Sequence, residues 1–237
     1  MSPRNSVREK GKNVLDIFIG YDPNEIVAYH VACHSILEKA SQPVRVTPLN
    51  LRNLGPLMTR ERHALQSTEF AFSRFLVPHL VNHTGWALFM DCDMLVRTDI
   101  AELFALADDR YAVMVCQHDY SPSTQTKFLR QIQSPYPKKN WSSVMLFNSA
   151  RCRKLTPDYV NTATGLELHQ FKWLESDAEI GALPLEWNWL VGEYKMNPAA
   201  KIAHYTIAGP YFAEGRNGDF ADEWRQTYAR MISVAER

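Results

Sequence analysis

Residues 14–19, 44–49, 86–90, 111–116 and 144–147 are short apolar or strand-like runs, and helical spacing fills the gaps between the first three. After the first run, Ile26, Tyr29, Cys33, Leu37 and Ala40 share one helical face. Residues 69–81 read as a second helix carrying Arg74, and residues 100–106 as a short third one. This β-α-β-α-β order predicts an α/β fold with a mainly parallel central sheet flanked by helices, the Rossmann-like arrangement. Residues 219–237 place Phe220, Trp224, Tyr228, Met231 and Ala235 on one face, with acids early and arginine late, which predicts a self-capped amphipathic terminal helix. Between the fourth and fifth strands, residues 117–140 form a loop long enough to predict a functional role.

At 237 residues, 46% of them hydrophobic and 22% charged, the chain suits one compact domain. We expect that domain over residues 14–237, behind a polar, basic and flexible tail over 1–13. Lys+Arg and Asp+Glu balance at 26 each, which argues against a nucleic-acid partner held by an extended basic surface. The longest apolar run, residues 111–116, is far too short to span a bilayer, and no apolar signal core opens the chain. Cys33, Cys92, Cys116 and Cys152 are scattered without metal-ligand spacing. A cytoplasmic protein with reduced thiols is the expectation.

Asp91 and Asp93 follow the apolar strand at residues 86–90. At i and i+2 in extended chain, both carboxylates face one side at the carboxyl end of a buried strand, where open α/β sheets bind ligands. Two such anions repel each other unless a divalent cation lies between them, and hard oxygen ligands suit Mn2+ or Mg2+. A solvated turn in which Asp93 caps the next segment is the structural alternative. Near the first strand, Gly20 permits close approach of a ligand, Tyr21 offers a ring for base stacking, and Asp22 can accept from a uracil N–H. Asp22 followed by Pro23 also fits a helix cap, and both roles are compatible.

The segment Ala87-Leu88-Phe89-Met90-Asp91-Cys92-Asp93 resembles the DxD segment of GT-A fold glycosyltransferases, and of the glycogenin and lipopolysaccharide galactosyltransferase family (family 8-like) in particular. Phe18-Ile19-Gly20-Tyr21-Asp22 resembles that family's first-strand nucleotide site, Ser73-Arg74-Phe75-Leu76-Val77-Pro78 its arginine-bearing helix, and Val144-Met145-Leu146-Phe147-Asn148 its acceptor-side strand. Leu183-Pro184-Leu185-Glu186-Trp187-Asn188 and His204-Tyr205 complete the order. The resemblance implies a metal-dependent hexosyltransferase that takes a nucleotide sugar, a UDP-sugar by the look of residues 20–22, and a saccharide or other hydroxyl acceptor, with retention at the anomeric carbon. It implies Asp91, Asp93 and His204 as metal ligands, Asp91 also reaching the ribose. It further implies that Arg74 contacts the donor or orients the DxD carboxylates, that Gly209 lies in the donor site and that Asp177 orients sugar hydroxyls.

Three departures from the family pattern stand out. Trp141-Ser142-Ser143 replaces Asn-x-Gly, Asp177-Ala178-Glu179 replaces Asp-Gln-Asp, and the segment from His204 ends at Gly209-Pro210 without the family's lysine. A cation from elsewhere, among Lys127, Arg130, Lys138, Lys139 and Arg216, is then expected to reach the diphosphate, the loop at 117–140 acting as a lid. Trp141, Trp187, Trp189, Tyr205 and Tyr211 are either sugar platforms or core. Two other functions stay open at this point. A nucleotide-sugar-binding protein without turnover fits Ala178 and the missing lysine. A haloacid-dehalogenase-like phosphohydrolase would use Asp91 as nucleophile, although that motif usually ends the first strand.

Overall fold

The computed structural model describes residues 14–61, 66, 68–119 and 137–233. Strands β1 (Leu15–Gly20), β2 (Val44–Leu49), β3 (Trp86–Met90), β4 (Met94–Val96), β5 (Val113–Cys116), β6 (Val144–Asn148), β7 (Ile180–Leu183), β8 (Trp189–Leu190) and β9 (Ile202–His204) form two sheets. The larger has six strands in the order β2-β1-β3-β6-β5-β7, the smaller three in the order β4-β9-β8. In the larger sheet β2, β1 and β3 are mutually parallel, as are β5 and β7, while β6 runs antiparallel to both its neighbours. The expected mainly parallel sheet is therefore observed with one reversed strand. Its central strands are buried on both faces, which is why β3 and β6 read as continuous apolar runs without alternation.

The helices are α1 (Ile26–Lys39), α2 (Leu51–Leu54), α3 (Val77–Leu80), α4 (Ala101–Phe104), α5 (Pro157–Thr162), α6 (Gly165–His169) and α7 (Ala221–Ile232). The helix expected over residues 69–81 is broken into turns, a 3-10 turn at Ser73–Leu76 and the single turn of α3. Pro78 is the cause, because it has no amide and its ring collides with the carbonyl four residues earlier, so a continuous helix cannot pass through it. The terminal helix is present with the expected charges at its ends, acids in the first turn and Arg230 in the last. Phe220, at φ 60°, precedes it without a side-chain cap.

The chain has two clusters of buried apolar side chains, a large one to which both sheets contribute, Met94, Val96 and Ile202 of the small sheet included, and a small one. Ile17, Leu88, Phe89, Val115, Leu146 and Phe147 belong to the large one. Leu95, Ala203, Tyr205 and Val191 of the small-sheet region pack instead with Val31 of α1 and Trp224 of α7. Trp224 and Tyr228 stack at 5.7 Å, and Arg230 Nε donates to Glu38 of α1 at 2.6 Å, so α7 lies across the small sheet and α1. The small sheet is thereby held against the end of the large one, where the acidic residues lie.

Candidate active site

Asp91 continues the β3–β6 ladder, its amide donating to the Ser143 carbonyl at 3.0 Å. Asp93 begins the step into the small sheet. There β4 pairs with β9 so that Met94 lies opposite His204, and the Tyr205 amide donates to the Asp93 carbonyl at 2.9 Å. Backbone pairing alone thus carries a histidine from the far end of the sequence to the aspartate pair. His204 Nε2 lies 3.3 Å from Asp93 Oδ1 and 3.9 Å from Asp91 Oδ2. One ligand atom from each of Asp91, Asp93 and His204 falls within 4.8 Å of the other two.

This donor set fits a divalent cation. Two carboxylate oxygens and an imidazole nitrogen are the ligand types that Mn2+ accepts, and Mg2+ is compatible with the carboxylates. The imidazole must present a lone pair, and its neighbours settle that. Asn188 Nδ2 faces the Asn140 carbonyl at 3.2 Å, a group that can only accept, and Ser143 Oγ at 2.9 Å, whose proton goes to the same carbonyl. The amide oxygen of Asn188 is therefore the atom 2.7 Å from His204 Nδ1, so in the neutral ring Nδ1 carries the proton and Nε2, the nitrogen that faces the acids, offers the lone pair.

Arg74 sets the other side of the site. Its side chain is 6% exposed, Nη1 lies 2.9 Å from Asp91 Oδ1 and donates to the Ser142 carbonyl at 2.8 Å, and its carbon centre stands over the rings of Phe70 and Phe89. Of its two expected roles, this geometry matches the orienting of the DxD carboxylate. Buried Glu25, which sequence reading missed, accepts a 2.6 Å hydrogen bond from Tyr211 Oη. Burial, then the neighbouring Asp93, push its carboxyl up to about 8, opposed by the Tyr211 hydroxyl. The Cys92 thiol between the two aspartates is likewise held protonated, by burial first and then by the surrounding carboxylates.

Other sequence-predicted residues have more local explanations. Pairing of Ile19 with Met90 puts Gly20 and Tyr21 beside the start of the Asp91 segment. The space at Gly20 is filled by protein, however. A Cβ there would meet Phe70 Cδ2 at 2.3 Å, so close approach of a ring, not of a ligand, explains the glycine. Gly20→Ala is expected to lower stability by about 1 to 3 kcal/mol through displaced packing, measurable by urea denaturation. Gly209 similarly makes room for Tyr211, whose Cε1 would be 2.1 Å from a Cβ and whose hydroxyl contacts Glu25. Asp22 caps the turn before α1, accepting from Asn24 N at 2.9 Å and from Glu69 N at 3.1 Å. Tyr21 is half-buried, edge-on to Tyr29.

Asp177 is not brought to this cluster. It precedes β7, whose first residue, Ile180, pairs with Val113; Val113 pairs with Phe147 and Phe147 with Ala87, near the beginning of β3. Asp91 lies past the end of that strand. Asp177 is exposed and pairs with Lys138 Nζ at 2.6 Å, and its turn is capped by Ser176. Lys138 also donates to the Gln170 carbonyl at 3.0 Å, Lys139 is buried, and Arg216 is exposed. Lys127, Arg130 and most of the expected lid lie outside the described residues. Trp187 and Tyr205 are fully buried core residues, whereas Trp141, Trp189 and Tyr211 are half-buried.

Two histidines, His118 buried and His169 half-buried, stand behind the site. His118, at the end of β5, faces Asn188 through Nε2 at 2.9 Å and Tyr194 Oη through Nδ1 at 2.9 Å. His169 meets Ser142 Oγ at 2.7 Å. Burial pushes both imidazoles down to about 3, with His204 adding to the effect on His118 and Arg74 to that on His169. The unfolded chain takes up these protons near pH 6.5 while the folded protein does not. Stability is therefore expected to fall as pH drops from 6.5 towards 3, by up to about 1.4 kcal/mol per pH unit for each histidine. Urea titrations at pH 7.5 and 5 should show this, with a smaller difference in His169→Gln.

A mixed sheet that ends in an acidic pair, met by a histidine from a second small sheet, defines a GT-A fold glycosyltransferase, and the solved structures agree. The galactosyltransferase LgtC, in complex with donor and acceptor sugar analogs, superposes with a TM-score of 0.60 at 12% identity, over 94% of this chain and 98% of LgtC. GlyE of Streptococcus pneumoniae gives 0.58 at 13% identity over 92% of this chain and 62% of GlyE. The bifunctional glycosyltransferase WbbM gives 0.57 at 16% identity, and there the chain spans only 51% of the longer protein. In sequence, Protein CDI of Arabidopsis thaliana is 48% identical over 223 residues, 90% of this chain and 85% of CDI. The profile of glycosyl transferase family 8 matches residues 24–208, and the chain belongs to that family.

Proposed function

We propose that this glycosyltransferase binds a nucleotide-sugar donor, a UDP-sugar, through Mn2+ or Mg2+ held by Asp91, Asp93 and His204. It transfers the hexosyl group to a hydroxyl of a saccharide or similar acceptor, with retention. The observation that carries the metal reading is the convergence of three ligand atoms within 4.8 Å at the end of β3. A bound divalent cation would neutralise the donor diphosphate and the charge that develops on the leaving nucleotide. Arg74 holds the Asp91 carboxylate in place, since its guanidinium is 2.9 Å away in a buried setting. The Gly20-Tyr21-Asp22 segment, level with Asp91 across the β1–β3 pairing, is where we place the base. Family membership favours turnover over binding alone, and it disfavours the phosphohydrolase, as does the position of β3 behind a complete β-α-β unit.

Among the described residues no helix is long and apolar enough to cross a membrane. All four cysteines are free thiols, which supports a reducing compartment, the cytoplasm, as the place of action. The decisive experiment is calorimetric titration with UDP in the presence and absence of Mn2+, followed by a screen of nucleotide sugars for sugar-dependent nucleotide release. UDP binding that requires the cation is expected. A protein that binds UDP equally well after chelation would overturn the metal reading, and one that binds no uridine nucleotide at all would overturn the donor.

A further inference from the structure

We propose that Asn188 is a positioning residue for the metal site, a buried amide that holds His204 in the Nδ1–H tautomer so that Nε2 points its lone pair at the space between Asp91 and Asp93. The inference rests on the metal reading above, but its core is a statement about this chain's own hydrogen bonds. Asn188 is fully buried, and both ends of its amide are engaged. The Asn140 carbonyl at 3.2 Å, which can only accept, sets the NH2 end of the amide on its side, with Ser143 Oγ and His118 Nε2 each 2.9 Å from the same nitrogen. That leaves Oδ1 for His204 Nδ1 at 2.7 Å, and an acceptor there excludes the other neutral tautomer.

The residues that orient Asn188 are themselves fixed. His118 Nδ1 faces Tyr194 Oη at 2.9 Å, and Trp141 Nε1 donates to the His118 backbone carbonyl at 2.9 Å. Asn140, at φ 62°, sits in the left-handed region, where asparagine is tolerated better than most residues. The chain thus runs from Tyr194 through His118 and Asn188 to the imidazole of His204. Asn188 belongs to a turn in the β7–β8 connection, outside both aspartate elements.

Two measurements on the full chain test the proposal. Long-range nitrogen–proton correlation spectra of the metal-free protein, with His204→Gln to assign the signal, should show Nδ1 protonated and Nε2 bare. Asn188→Ala should lose that pattern, and Asn188→Asp, which keeps an acceptor for Nδ1, should retain it. Mn2+ affinity, read by electron paramagnetic resonance, should weaken about ten- to a hundredfold in Asn188→Ala and less in Asn188→Asp. A proton on Nε2 in the wild-type spectrum overturns the proposal without need of any variant, and so does an Asn188→Ala protein with unchanged tautomer and unchanged affinity. If the wild type shows the expected tautomer, lost in Asn188→Ala, yet binds no Mn2+, the positioning role stands and the metal reading falls.

Discussion

Asp93→Asn is expected to weaken Mn2+-dependent UDP binding at least about a hundredfold, about 2.7 kcal/mol, while leaving the protein as stable as before or more so. Asp93 lies close to carboxyl groups, since Asp22, Glu25 and Asp91 all share its surroundings, and removing one charge relieves repulsion that the fold tolerates for the sake of a ligand. Asp91→Asn should cost a similar factor in binding but behave differently in stability. Its partner Arg74 is buried, and a guanidinium deprived of its carboxylate is an uncompensated charge worth about 3 to 5 kcal/mol of destabilisation. From the sequence alone, both replacements would be expected to leave the fold untouched; the ion pair separates them. Calorimetry with UDP and Mn2+ alongside urea denaturation checks both halves. Equal loss of stability in the two variants would show that Arg74 does not distinguish the aspartates.

The second large effect concerns Arg74 itself. Arg74→Ala should destabilise the fold by about 3 to 5 kcal/mol, because it strips the guanidinium from Asp91, removes the donor to the Ser142 carbonyl and empties the space between Phe70 and Phe89. Arg74→Lys keeps the charge but lacks the Nε–H that donates to the Phe70 carbonyl at 3.3 Å and the planar face over Phe70 and Phe89, so it should recover part of the stability and little of the donor affinity. Denaturation midpoints and UDP affinity measured on both variants test this. A lysine variant indistinguishable from wild type in binding would mean that charge alone, without geometry, orients Asp91.

The legible parts of this fold and site share a local physical cause. Buried strands announce themselves as apolar runs, and two aspartates at the end of such a run have no cheap structural excuse, so β3 with Asp91 and Asp93 could be read directly. Strands as short as β4 and β8 carry too few residues for periodicity to mark them, and His204, at the end of β9, is tied to the aspartates in the sequence only through family resemblance. Asp177 resembles a site residue by its place in the motif order, but sheet register, which sequence spacing does not encode, puts it at the other edge. Glu25 and Asn188 were invisible for a related reason. Their significance lies in what stands opposite, Tyr211 and Asp93 for one and His118 and His204 for the other, and those partners come from distant segments.

Because the aspartates end the large sheet and the histidine ends a strand of the small one, an ion gripped by all three is also a rivet between the two sheets. Filling the site would tie the terminal helix, which covers the small sheet, to the catalytic edge of the large one, even though α7 contributes no ligand. Loading with metal and donor would then tighten regions remote from the sugar by mass action, and substitutions in the Trp224–Tyr228 stack would loosen the grip on the nucleotide without touching it.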